Sequence, residues 1–168
     1  VLIRDAARLL ARHAWVERRL FEVVGGWAAD TTDGEVAGAF AALSHHCAWH
    51  AELLEARVPL LHDVERAPAS PELVAYLDAV AASADDDERL VALVRVVLPD
   101  QLAQYEALLT STTPVSDAPV IRAVRLVVAD EQDDWRATGL LLRSRPTTDG
   151  DRLRLATHQS NLDLLLPR

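Results

Sequence analysis

Four long stretches of the chain repeat apolar residues every three to four positions, the period of amphipathic helices. From Arg4 to Ala29 the repeat runs through Leu9, Leu10, Val16, Leu20, Val24 and Trp27, with Arg8, Arg12 and Arg19 on another face. Asp30 to Gly34 reads as a turn. Thr32 ahead of Glu35 has capping-box spacing, which predicts a second helix starting there. That helix carries Val36, Phe40, Leu43, Cys47, His50 and Leu54, and Pro59 is expected to end it. A third helix is predicted from Asp87 to Leu109, with Leu90, Val94, Val97, Leu98, Leu102, Tyr105 and Leu109 as its stripe and a kink at Pro99. A fourth runs from Pro119 to Leu142, with Val120, Val124, Val127, Trp135 and Leu142 inward.

The links between these helices constrain topology. The first and last are short, and short links make antiparallel neighbours. The middle link, from Pro59 to Asp87, is long, and Ser70-Pro71 within it predicts a short helix over Pro71 to Ala82. It is long enough to carry the chain back along the bundle, so the second and third helices are expected to run parallel. The fold class is all-α: a four-helix bundle over residues 1–142 with one long crossover. Residues 143–168 form a C-terminal tail, in which Leu153 to Leu166 is predicted to make a final short packing helix.

The chain has 168 residues, half of them hydrophobic and only six glycine, which suits one packed domain and excludes a disordered chain. Seventeen basic residues, all arginine, against 26 acidic ones leave a net charge of −9. That charge repels phosphate backbones and anionic bilayers, so neither nucleic acid nor a membrane is an expected partner. No apolar run reaches the length of a membrane span. Cys47 is the single cysteine, so no intramolecular disulfide forms, and a reducing cytoplasm is the expected compartment. The chain opens at Val1 rather than at methionine, so further residues upstream are expected.

The informative residues are polar ones on apolar stripes. Glu17 shares a face with Leu10, His13, Leu20, Phe21 and Val24. His46, Cys47 and His50 lie along Leu43 and Leu54, and Glu131 and Asp134 along Val124, Val127 and Thr138. Glu22, Glu52, Asp130 and Asp133 fall on the outer faces. Glu17, His50 and Glu131 all sit near mid-helix, so one mid-bundle cluster is predicted. A buried carboxylate must pair, protonate or bind a cation. Three readings follow. Arg95 could hold Glu17 and Glu131. His46 and His50 could be core histidines bonded to those carboxylates. Or Glu17, His46, His50, Glu131 and Asp134 could ligate a metal. Cys47 reads as a small buried thiol, and Tyr105 and Trp135 as core.

These residues resemble the ligand pattern of the ferritin-like di-metal carboxylate proteins. That family places a glutamate on helices one and three and a Glu-x-x-His on helices two and four. Glu17 matches the first position. Cys47-Ala48-Trp49-His50 stands at the second with its glutamate replaced, and Asp130-Glu131-Gln132-Asp133-Asp134 stands at the fourth with its histidine replaced by Asp134. On helix three the required level falls near Val97, Leu98, Gln101 and Leu102, none a carboxylate; Glu106 lies one to two turns beyond. The di-iron site that the resemblance implies is therefore expected to be incomplete, holding one divalent ion (iron or zinc) at most, or none. The altered ligands point first to a structural or association module; the alternative is a metal-dependent oxidoreductase or iron-binding protein of the ferritin-like class. Trp15, Trp49 and the apolar Leu162 to Leu166 segment point to a homodimer interface.

Overall fold

The computed structural model describes residues 3–59 and 70–167. The first part of the predicted middle link, residues 60–69, and the chain's extreme ends lie outside the described residues. Among the described residues there are six helices and no strand. No helix is long and apolar enough to cross a membrane.

Helix α1 (Ile3–Asp30) buries Leu10, Ala14, Glu17, Leu20 and Val24 at three- and four-residue steps. Phe21, expected on that face, is instead largely exposed. Helix α2 (Gly34–Glu55) packs along α1. Its cap is Asp33 rather than Thr32: the Asp33 carboxylate accepts the N–H groups of Glu35 and Val36 at 3.1 and 3.3 Å. A carboxylate both fills the orphan donors and complements the helix dipole. The helix ends at Glu55, ahead of Pro59, because Arg57 and Val58 turn their N–H groups back to the carbonyls of Leu54 and Glu55. Helix α3 (Pro71–Ala81) follows the expected signals, with the Ser70 hydroxyl accepting the N–H of Leu73.

Helix α4 starts as Asp86–Val91, widens into a π-helical stretch over Ala92–Val97 and resumes as α-helix over Leu98–Ser111. Pro99 accounts for this local form. In the wide stretch a carbonyl waits for the N–H five residues on, and the Leu98 N–H reaches the Leu93 carbonyl in this way. The next carbonyl, that of Val94, would need the N–H of residue 99, and proline has none. The indole Nε1–H of Trp135 donates to it instead, at 2.8 Å. Trp135 was expected in the core; it lies at the surface, 42% exposed, with its N–H turned onto α4. Replacing Trp135 with phenylalanine should cost about 1 kcal/mol in chemical denaturation, the value of one hydrogen bond. An unchanged midpoint would mean that water serves the Val94 carbonyl equally well.

Helix α5 spans Ala118–Ser144 and helix α6 Asp149–Leu165. The tail is thus a full 17-residue helix, started by a reciprocal cap between Thr148 and Asp151. It buries Leu155 and Leu162 but leaves Leu164 84% exposed.

Two sets of contacts tie the helix ends together. At one end Arg145, just past α5, bonds Asp87 near the start of α4 and Asp33 at the cap of α2, the latter at 3.0 Å. Thr31, just past α1, bonds Asp86 at the same end. Towards the other end, Leu10 of α1, Leu54 of α2, Leu108 of α4 and Val124 of α5 share one apolar cluster.

Candidate metal centre

Helical spacing carries the polar residues inward with their apolar neighbours. On α2 the buried positions run Leu43, Cys47, His50, Leu54; on α5 they run Val124, Val127, Glu131, Asp134, Thr138. Glu17 and His50 have no exposed surface and Glu131 has 1%. Ligand atoms of these three lie within 4.8 Å of one another, between α1, α2 and α5. His50 Nδ1 is 3.6 Å from Glu17 Oε2 and 3.9 Å from Glu131 Oε1.

The outward-turned atoms of this cluster are held. Tyr105 of α4 donates its phenol O–H to Glu17 Oε1 at 2.5 Å. His50 Nε2 meets Asp130 Oδ2 at 3.2 Å. Three buried atoms of the cluster have no hydrogen-bond partner among the described residues: Glu17 Oε2, His50 Nδ1 and Glu131 Oε2. Orphaned buried polar atoms are costly, so three in one place need a shared explanation. A metal-ligating histidine ordinarily has its other ring nitrogen fixed by a carboxylate, as Asp130 fixes His50.

Charge accounts for the protonation of the cluster. Burial, reinforced by the charges of Glu17, Asp134 and Asp130, pushes the Glu131 carboxyl far above the usual carboxylate range. Burial alone would lower His50, but the Glu17 and Asp130 carboxylates outweigh it and the imidazole titrates above its ordinary value. Burial and the same acidic neighbours, Glu17 first, hold Cys47 and Tyr105 in their neutral forms. Cys47 is thus an inert buried thiol rather than a thiolate ligand.

The remaining expected ligands sit beside the triad. His46 Nδ1 and Asp134 Oδ2 pair with each other at 2.8 Å, and the His46 side chain is one-third exposed. The His46 and His50 rings lie 6.1 Å apart. Arg95 does not hold the carboxylates: its guanidinium donates to Gln159 on α6, at 3.3 Å. Glu106 is exposed, so α4 brings no carboxylate to the site. What α4 does bring is Tyr105, one turn beyond the level expected, while Gln101 is buried with its Nε2 unpartnered.

Two participants escaped the sequence reading. Asp130 was assigned to the outer face, yet it reaches His50; its spacing of three from Val127 and four from Asp134 was the available signal. Tyr105 was read as core, although a buried phenol needs a hydrogen-bond partner.

No family model, curated protein or solved structure matches the chain. The chemistry therefore rests on geometry. Two carboxylates and one imidazole with ligand atoms within 4.8 Å of one another form a donor set for a borderline divalent cation.

His13 completes the polar interior. Its ring packs 4.7 Å from that of Tyr105, and burial lowers its pKa to about 4 despite the nearby Glu17 charge. The folded protein keeps His13 neutral, so its contribution to stability is full above the unfolded value of 6.5 and is lost as pH falls toward about 4. An NMR titration of the imidazole should show an unusually acidic midpoint for His13. A midpoint near the ordinary histidine value would mean that water reaches the ring.

Proposed function

We propose that this protein is a ferritin-like helical bundle that binds one divalent metal ion, iron or zinc, through Glu17, His50 and Glu131. The observation that carries this is the meeting of Glu17, His50 and Glu131, all buried, with ligand atoms within 4.8 Å of one another. A divalent cation would satisfy all three and balance the two carboxylate charges. The ferritin-like arrangement, with a crossover between α2 and α4, is supported by the end contacts: Asp33 and Asp87, at the starts of those two helices, meet the same Arg145. Bound iron would bring one-electron redox chemistry to the site; bound zinc would bring Lewis acidity. Tyr105 and Asp130 then act as positioning residues, each fixing which atom of its partner is free.

A second reading has its own support. The Tyr105–Glu17 pair joins α4 to α1, the His50–Asp130 and His46–Asp134 pairs join α2 to α5, and the His50–Glu17 ion pair connects the two sets, so the polar core could serve as a network that fixes their register in a structural or association module. That reading leaves Glu131 buried beside the like charges of Glu17, Asp134 and Asp130, and for this reason the metal reading is preferred. The exposed Leu164 and Trp49 support association into a homodimer in either case.

Native mass spectrometry of protein purified without a metal-affinity tag tests stoichiometry and assembly in one measurement. One iron or zinc ion per chain is expected, in particles of two chains. Metal-free chains that take up no ion on exposure to iron(II) or zinc would leave the structural reading. Two ions per chain would overturn the single-site assignment.

A further inference from the structure

A second site lies away from the metal centre and rests on independent observations. Four arginines, Arg95, Arg143, Arg145 and Arg152, line one cleft between α4, the end of α5 and the start of α6, with a volume of about 560 Å³. That is the size of a small-molecule pocket. In a chain of net charge −9 such a concentration of guanidinium groups stands out.

Like charges gathered in one recess repel, so each needs a counter-charge. Arg145 has two, Asp33 and Asp87, and Arg152 has Asp149 at 2.7 Å. Among the described residues Arg95 and Arg143 have none. Arg95 donates only to the neutral amide oxygen of Gln159. Arg143 has no ion pair or hydrogen bond to another side chain among the described residues. Its guanidinium lies over Gly139, where an added Cβ would stand 3.4 Å from Nη1 and 3.8 Å from Val94 Cγ1. Glycine keeps this part of the floor low. Val94, Leu142 and Leu155 supply apolar wall beside the charges.

We propose that this cleft binds a small organic oxyanion: a carboxylate or phosphate head held by Arg95 and Arg143, on a body that packs against the apolar wall. Planar guanidinium forks suit both heads, since both present paired oxygens at matching spacing. Arg145 is already engaged in joining the helix ends, so it shapes the wall rather than taking the head.

Calorimetric titration of the full chain at low salt with phenyl phosphate, benzoate and benzyl alcohol tests the proposal. Both anions should bind saturably at one site per chain, and the uncharged alcohol should not. Arg95→Gln and Arg143→Gln should each weaken binding about tenfold, the loss of one charge-assisted contact. Both side chains are exposed, so the variants should fold normally, which circular dichroism checks. Arg122→Gln, in a different surface recess, should bind like the wild type. Tighter binding of phenyl phosphate would identify a phosphate ligand, and tighter binding of benzoate a carboxylate. Absence of saturable binding by both anions would overturn the proposal. So would unchanged affinity in Arg95→Gln and Arg143→Gln, or an equal loss in Arg122→Gln.

Discussion

Saturating iron(II) or zinc should raise the melting temperature of the metal-free protein by about 10 °C and leave Glu131→Gln nearly unmoved. An ion present at a thousandfold excess over its Kd adds ~4 kcal/mol, and in a chain of this size ~1 kcal/mol moves the midpoint by about 2–4 °C. Glu131 is the sensitive ligand because burial and the acidic neighbours hold its carboxyl far above the usual range. In metal-free protein it keeps a proton, and the metal must displace that proton. Binding should therefore strengthen as pH rises and release protons to the solvent. The metal-free protein should show the opposite trend. The Glu131 carboxyl is raised on folding, so its stabilising proton is fully present below the unfolded value of 4.5 and is lost as pH climbs through the folded one. Metal-free Glu131→Gln should lack this dependence. A melting temperature that metal shifts equally in both proteins would place the ion elsewhere.

Glu17, His50 and Glu131 were legible in the sequence because an unbroken α-helix keeps its period. Each lies on a stripe whose neighbours are unambiguous, and each sits near mid-helix, so face and level could be counted together. Glu131 shares the Val124–Val127–Thr138 stripe and is buried with it. On α4 the stripe was legible as well, since Leu90, Val97, Leu98, Leu102 and Tyr105 are all buried, but the local helix form and the level of Tyr105 were not. The π-helical stretch over Ala92–Val97 takes more residues per turn, so the faces beyond it are rotated by roughly 100° for each inserted residue. Nothing in the apolar repeat announces that stretch. The cue was Pro99, which was read as a kink; the missing N–H was instead met by a wider turn and by Trp135. This also explains why Trp135 was misplaced: its role at the surface is a hydrogen bond to a backbone group that only the π-stretch exposes. Asp130 was missed for another reason. Its Cα belongs to the edge of the stripe, and a partly exposed aspartate can still turn its carboxylate to a buried imidazole. Partner choice at a stripe's edge depends on side-chain rotation, and periodicity does not contain it.

Replacing His50 with alanine should be the most damaging change at the site, costing about 3–5 kcal/mol in the metal-free protein, the penalty for leaving buried charge unpaired. The fully buried imidazole lies between the Glu17 and Asp130 carboxylates, at 3.6 and 3.2 Å. Those two charges more than offset its burial and keep its pKa above the ordinary value. Protonated His50 is then the cation of the metal-free cluster. Because folding raises its pKa, this contribution is complete below the unfolded value of 6.5 and fades as pH rises through the folded value. Urea denaturation of the wild type against His50→Ala should therefore show the largest gap in mild acid and a smaller one in alkali. His50→Gln, which keeps the volume and a donor but not the charge, should fall between the two and lose the pH dependence. If the gap between wild type and alanine is the same at every pH, and glutamine restores the stability, His50 acts by packing and not by its charge. The contrast with Glu131 is the decisive one: removing the imidazole strands the Glu17 and Asp130 charges, whereas Glu131→Gln replaces a carboxyl that already holds its proton and should leave metal-free stability in acid nearly unchanged.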